Sequence, residues 1–321
     1  MTSFQKPRIR FNYKVQNEIN NIRYYRNHQF GLEIPKKSKN HVIIATWNIA
    51  NLGLQKRRDE DYQILAEIIS WFDIIGIQEV HENLKGLQKI MSFLPPSYGV
   101  KFNDRAGNRE RLAFLYDQKK VQELEMSGTV ATSYAEIKHI KLPGINQKFK
   151  GFEINPHFVS FRVENSNFVI ANAHICFREE KQDDRNRRDL EAYALARWAS
   201  IRQKSVYNEF DFFLVSGDLN LPKNFPQDPI YKALKKYGFQ RPQHSTLVAG
   251  DISREFHYDQ IFFFPEPTNK RFTGKSGIFD FDRVIFPSLW KKVGGSRKNF
   301  RHYLRYYISD HRPSWAQFKI S

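Results

Sequence analysis

Five polar clusters end short apolar runs along this chain: Trp47-Asn48, Gln78-Glu79, Asn172-Ala173-His174, Gly217-Asp218-Leu219-Asn220 and Ser309-Asp310-His311. No other feature constrains the fold as much. Short apolar runs bounded by turn signals read as buried strands, and strand ends are where an α/β scaffold presents its working side chains. The clusters supply amides, carboxylates and two imidazoles, without a cysteine set. Oxygen-rich groups of this kind suit Mg2+, Mn2+ or Ca2+ rather than zinc–thiolate chemistry.

The first strand is expected from Val42 to Ile49. Asp59 is a candidate cap for a helix with the stripe Tyr62, Leu65, Ile69 and Phe72. Further strands are expected over Asp73–Val80, Arg111–Tyr116, Phe158–Val163, Phe168–His174, Phe212–Val215, Tyr258–Phe264 and Trp315–Ile320. Glu164–Asn167 joins two of these as a hairpin. A long helix follows, with Leu190, Tyr193, Ala194, Trp198 and Ile201 on one face. Helices mixed with a hairpin argue for mixed sheets covered by helices, not a parallel barrel. Residues 1–41 read as an N-terminal extension with one helix near Tyr13–Tyr25 and a linker over Ile34–His41. Residues 42–321 read as the main folded domain, which carries all five clusters.

Hydrophobic residues make up 40% and aromatics 15%, which excludes a disordered composition. Lys plus Arg is 51 against 34 Asp plus Glu, a net charge of +17. That favours a polyanionic partner, nucleic acid or an anionic membrane surface, over the alternative of a merely soluble surface. Basic groups cluster at Lys56-Arg57-Arg58, at Arg185 to Arg188, and at Arg297-Lys298 with Arg301 and Arg305. Phe300, Tyr303, Tyr306 and Tyr307 interleave the last cluster, and read either as stacking platforms for bases or as core. Cys176 is the single cysteine, so no internal disulfide forms; it reads as a buried packing thiol. No apolar run follows the basic start, and no run of about 18 apolar residues occurs. The expectation is a cytoplasmic protein without a transmembrane segment. Oligomeric state is not encoded legibly.

Glu79 ends the apolar run Ile74-Ile75-Gly76-Ile77-Gln78. An unpaired buried carboxylate is costly, so its partner is either a divalent cation or a local arginine. Asn48 can orient a metal ligand or a phosphate oxygen, although an Asn at a strand end is commonly a turn residue. Asp218 and Asn220 share a side if their strand continues, and Gly217 lets the backbone bend. An Asp beside a His fixes the imidazole tautomer, which makes Asp259 and Asp310-His311 of interest. A lone His such as His174 is more often structural.

In this order and spacing, the clusters resemble the endonuclease/exonuclease/phosphatase superfamily, which includes pancreatic deoxyribonuclease, exonuclease III-like nucleases, neutral sphingomyelinases and inositol polyphosphate phosphatases. The resemblance covers Val42 to Ile320. It implies an α/β fold, a four-layer α-β-β-α sandwich of two mixed β-sheets packed face to face with helices outside. It implies Mg2+, with Mn2+ as a substitute, at Glu79, with Asn48 beside it and Asp310 as a further ligand. His174 and His311 would flank the scissile phosphate. Asp218 would orient or deprotonate the attacking water, and Asn220 would hold a phosphate oxygen. Asp259 would pair with His311, and Glu110 with His174. One departure stands out. Many members carry an Arg two residues before a Pro on the strand equivalent to Phe152–Pro156, where this chain has Ile154. Arg111, Arg178 and Arg254 are the candidates to replace it. The expected activity is Mg2+-dependent phosphodiester hydrolysis of nucleic acid, with DNA endonuclease action favoured. The alternatives are a phosphoinositide, sphingolipid or small-molecule phosphoesterase, and a non-catalytic nucleic-acid-binding module. A lipid enzyme would need an exposed apolar loop, from Phe225, Pro226 or Phe262–Pro267.

Overall fold

The computed structural model describes residues 3–28, 33–105, 108–175, 181–220, 229–241, 248–253, 257–263 and 270–320. Its strands are β1 (His41–Leu52), β2 (Ile74–His81), β3 (Tyr98–Phe102), β4 (Glu110–Asp117), β5 (Gln122–Thr129), β6 (His157–Val163), β7 (Ser166–His174), β8 (Phe212–Asp218), β9 (Asp259–Phe263), β10 (Phe272–Ile278) and β11 (Ser314–Lys319). Its helices are α1 (Val15–His28), α2 (Asp59–Ile69), α3 (Lys85–Phe93), α4 (Tyr134–Ile137), α5 (Gln182–Gln203), α6 (Pro229–Lys236), α7 (Pro287–Lys292) and α8 (Arg297–Tyr307). One sheet runs β10-β11-β1-β2-β4-β3 and the other β5-β6-β7-β8-β9. β1–β2 and β7–β8 pair parallel and the remaining neighbours antiparallel, so both sheets are mixed.

Side chains alternate across a strand, and this alternation builds the layers. Val42 and Ile44 on β1, Phe114 and Tyr116 on β4, Phe168 and Ile170 on β7, and Phe212 and Leu214 on β8 meet between the sheets. Burying each such side chain contributes roughly 1.5–3 kcal/mol. Ile43, Ala45, Ile75 and Ile77 point the other way, onto Ile22 of α1, Leu65 of α2, Leu87 of α3, Leu289 of α7 and Leu304 of α8. On the second sheet, Val169, Ala171, Phe213 and Val215 pack under Ala192 and Leu195 of α5 and Leu234 of α6. The result is the expected helix–sheet–sheet–helix sandwich.

Residues 3–28 lie against the first helical layer. Tyr13 donates to Asp61 on α2 at 2.7 Å, Tyr25 donates to Asp280 at 2.7 Å, and the buried Glu18 carboxylate accepts from Phe286 N at 2.7 Å. Phe11, Ile22 and Ile34 belong to the core there. No helix among the described residues is long and apolar enough to cross a membrane. Several local expectations need correction. Arg58, not Asp59, is the N-cap of α2, and Asp59 pairs with Lys89 instead. Ile201 is 47% exposed, off the packed face of α5. Residues 152–156 form no strand, and Ile154 is buried ahead of β6.

Candidate active site

The inward-facing series that is apolar at mid-sheet turns polar toward one end. Thr46 and Asn48 continue it on β1, Gln78 on β2, Asn172 and His174 on β7, Ser216 and Asp218 on β8, and Glu110 and Asp259 begin β4 and β9 there. Gln78 and Asn172 tie the sheets together. Gln78 Nε2 donates to Thr46 Oγ1 at 3.0 Å and to Asn172 Oδ1 at 2.5 Å. Asn172 Nδ2 donates to the carbonyls of Ile77 and Ala113. Gly76 leaves room for this amide, since a Cβ there would lie 3.1 Å from Asn172 Cγ.

Strict alternation would send Glu79 to the helical face with Ile75 and Ile77. The pairing of β2 with β4 slips between Ile77 and Val80, and Glu79 adopts φ 58°, in the left-handed region. This bulge re-aims its carboxylate between the sheets. There it accepts from Asn48 Nδ2 at 2.9 Å and from Asn51 N at 2.7 Å. The Glu79 amide donates to Glu110 Oε1 at 2.9 Å.

Both imidazoles are held by buried carboxylates. His174 Nδ1 donates to Glu110 Oε1 at 2.7 Å, and His311 Nδ1 donates to Asp259 Oδ2 at 2.7 Å. Asp218 lies between them: its Oδ2 is 3.6 Å from His174 Nε2 and 3.8 Å from His311 Nδ1. It also accepts from Asn48 Nδ2 and Asn220 N, each at 3.0 Å. Burial works against charge on His174, but the Glu110 carboxylate outweighs it, with Asp218 assisting, and pushes the ring up to about 10. His311 is likewise held well above its ordinary value, because Asp259 and Asp218 outweigh its desolvation. Burial raises Asp259, and the His311 charge opposes that rise. The arrangement is two imidazolium donors around one central carboxylate.

No family model matches the chain. A deoxyribonuclease of Thioalkalivibrio sp. (strain K90mix) is 27% identical over 296 residues, covering 89% of this chain and 73% of that protein. Among solved structures, an endonuclease/exonuclease/phosphatase family protein from Bacteroides thetaiotaomicron superposes with a TM-score of 0.58 at 18% identity, over 88% of this chain and 95% of its own. TDP2 from D. rerio, complexed with single strand DNA product, superposes with a TM-score of 0.57 at 12% identity, over 87% and 99%. The chain has the endonuclease/exonuclease/phosphatase fold. In this fold Asn48, Glu79, Glu110, His174, Asp218, Asp259 and His311 come together at one end of the inter-sheet layer.

Other expected site residues are placed differently. β8 stops at Asp218, and Asn220 has a left-handed φ of 49°, so the two do not share a strand face. Asn220 Nδ2 instead donates to the Ile175 carbonyl at 2.7 Å, and Arg188 on α5 bonds the Asn220 carbonyl. Arg111 shares the outward parity of Ala113 and Leu115, opposite to Glu110. Its guanidinium donates to the Asn103 carbonyl at 2.6 Å, on the face away from Glu110. Arg178, Arg254, Cys176, Phe225, Pro226 and residues 264–267 lie outside the described residues, whereas Phe262 and Phe263 are core. Arg57 is buried and bonds the carbonyls of Ala50, Tyr307 and Ile308. Phe300, Tyr303, Tyr306 and Tyr307 are buried on α8 and belong to the core. One contact lay unrecognised in the basic cluster: Arg305 Nε pairs with Asp310 at 2.8 Å and covers Phe4.

The donor set bears on a metal. Asn48 Oδ1 is buried with no hydrogen-bond partner, beside the Glu79 carboxylate. An orphaned acceptor next to a carboxylate is what a hard cation satisfies, and Mg2+ characteristically takes one or two carboxylates and keeps several waters. Asp310, raised by burial and by the Glu79 charge, is neutralised here by Arg305. Among the described residues no group of three or more His, Cys, Asp or Glu forms a full cage. The site therefore fits a sparsely coordinated oxygen-loving ion.

Proposed function

We propose that this protein is a metal-dependent phosphodiesterase that hydrolyses nucleic acid, with DNA as substrate. The observation that carries the reading is Asp218, set within 3.8 Å of two imidazoles that are each backed by a separate buried carboxylate. Water is the nucleophile. Asp218, oriented by Asn48 and Asn220, takes its proton as the oxygen attacks phosphorus. His174 and His311 enter charged and donate to the phosphate oxygens, where negative charge develops. As the P–O bond breaks, an imidazolium supplies the proton of the departing oxygen. Glu79 and the Asn48 amide oxygen would hold Mg2+ or Mn2+, with Asp310 adjoining, and the ion would neutralise charge on the phosphate. The net charge of +17 favours a polyanionic substrate. The relatives named deoxyribonuclease and TDP2 with a DNA product support the same class.

The test is incubation of supercoiled plasmid with the purified protein and Mg2+ or Mn2+, beside EDTA and Glu79→Ala controls. Nicking or degradation that both controls remove is the expected result. Plasmid retained on the protein but never cleaved, in either metal, would make it a binding module; turnover of phosphoinositides in place of DNA would move the substrate class.

A further inference from the structure

Beside the site lies a groove that the chemistry above does not use. It is a cavity of about 530 Å3 between α7, α8 and the segment before residue 254, lined by Ile252, Asp282, Trp290, Lys291, Arg297 and Arg301 among others. Its inner wall touches the site through backbone and side chains. Ile252 N donates to the Asp310 carbonyl at 2.9 Å, and Asp251 bridges to His311. Arg301 donates to the Ser253 carbonyl at 3.1 Å, and Asp282 receives both arms of Arg312, the residue after His311. The Asp282 carboxylate is thus already neutralised. Lys291 and Arg297 are exposed and make no ion pair among the described residues. The groove is therefore cationic where it is open. At its rim Trp290 is 39% exposed, one edge seated against Phe300 with ring centroids 5.4 Å apart.

We infer that this groove binds a single-stranded stretch of the nucleic-acid substrate as it leaves the scissile phosphate. The inference rests on the nuclease reading above. Cations spaced along a groove grip successive phosphates, and an exposed indole stacks on a base only when that base is unpaired. Inside a duplex every base is stacked on both sides and offers Trp290 no free face. The aromatics of α8 cannot serve, since they are core; Trp290 is the ring in reach of the lysine and arginines.

The experiment compares binding, by fluorescence anisotropy in EDTA, of a blunt labelled duplex and of duplexes carrying six-nucleotide 5′ or 3′ overhangs. The full chain is used as wild type, as Trp290→Ala and as Lys291→Glu/Arg297→Glu. In the wild type one overhang should tighten binding about tenfold, a single good stack. Both variants should lose that gain, keep the blunt-duplex affinity within about threefold, and retain plasmid cleavage in Mg2+. The double charge variant should also lower the salt dependence by about two counterions. An equal affinity for blunt and overhanging duplexes in the wild type overturns the inference, as does an overhang gain that survives both variants. Failure of wild type to cleave any nucleic acid defeats the nuclease reading instead, and the anisotropy comparison still judges the groove.

Discussion

His157 opens β6 directly opposite Asn172, one strand from the polar layer of the site. Its ring is buried against Phe114, Nδ1 donates to the Gly128 carbonyl at 3.0 Å, and Nε2 has no partner. Burial lowers its pKa from 6.5 to about 4. The folded-state value is depressed, so the unfolded chain takes up a proton first as the solution is acidified. The stability that the neutral ring contributes is complete above pH 6.5 and is lost as pH falls toward 4. With those two values, linkage gives a loss of about 1.2 kcal/mol between pH 7.0 and 5.5. His157→Gln keeps a donor for the Gly128 carbonyl but cannot titrate. Urea unfolding of both proteins at each pH isolates the effect, because carboxylates common to both cancel in the difference. The wild type should lose about 1.2 kcal/mol relative to the variant on going to pH 5.5. Parallel pH profiles would mean that His157 protonates freely in the fold, and would refute the desolvation argument.

Gly217 has φ 142°, and a Cβ there would lie 1.9 Å from the Ala173 carbonyl oxygen, so Gly217→Ala must push β8 off β7. A loss of about 3 kcal/mol or more in chemical denaturation is expected; a variant as stable as wild type would contradict this packing. Glu110→Gln removes the charge behind His174 while keeping an amide in its place, and should reduce cleavage about 100-fold without lowering the melting temperature by more than a few degrees. Full activity would remove Glu110 from the site. Arg57→Met leaves three buried carbonyls without their donor and should cost roughly 3 kcal/mol in unfolding free energy. An unchanged midpoint would show that water replaces the guanidinium.

The layered fold was readable because its central strands are apolar and short. The three strands that escaped the reading, β3, β5 and β10, are three of the four sheet edges. Edge strands carry polar and small residues to discourage further pairing, as in Gln122-Glu-Leu-Glu-Met-Ser-Gly-Thr129, so they lack the apolar signal. α8 was missed for another reason. Phe300, Tyr303, Leu304 and Tyr307 recur at helical spacing, but arginines between them suggested a ligand surface. Glu79, His174 and Asp218 were legible as strand-end residues and Asp259 as an acid opening a strand, whereas Glu110 was reached only through the family resemblance. The bulge that aims Glu79 was not, because it depends on a register slip between partners far apart in sequence. The commitment of Arg111 to a backbone carbonyl was likewise invisible, since it follows from which face of β4 is inward.

One device explains both the stability and the chemistry of this molecule. The alternation that packs Val42, Ile44, Phe168 and Ile170 between the sheets also brings Asn48 and His174 to the same layer, each four positions after Ile44 and Ile170 respectively. Polar groups buried this way must be satisfied, or each costs about 1–3 kcal/mol. Most satisfy one another: Glu110 serves His174 and Glu79 N, Asp259 serves His311 and Asn48 N, and Asn48 Nδ2 serves Glu79 and Asp218. Such a network holds its donors in place before any substrate arrives, and the reacting phosphate meets dipoles that need little reorganisation. Asn48 Oδ1, Glu110 Oε2 and Gln78 Oε1 are left without partners, and of these Asn48 Oδ1 belongs to the amide that bonds the Glu79 carboxylate, where charge neutralisation of a phosphate would be required. An unsatisfied acceptor of the amide–carboxylate chain thus coincides with the position at which the proposed hydrolysis needs a cation.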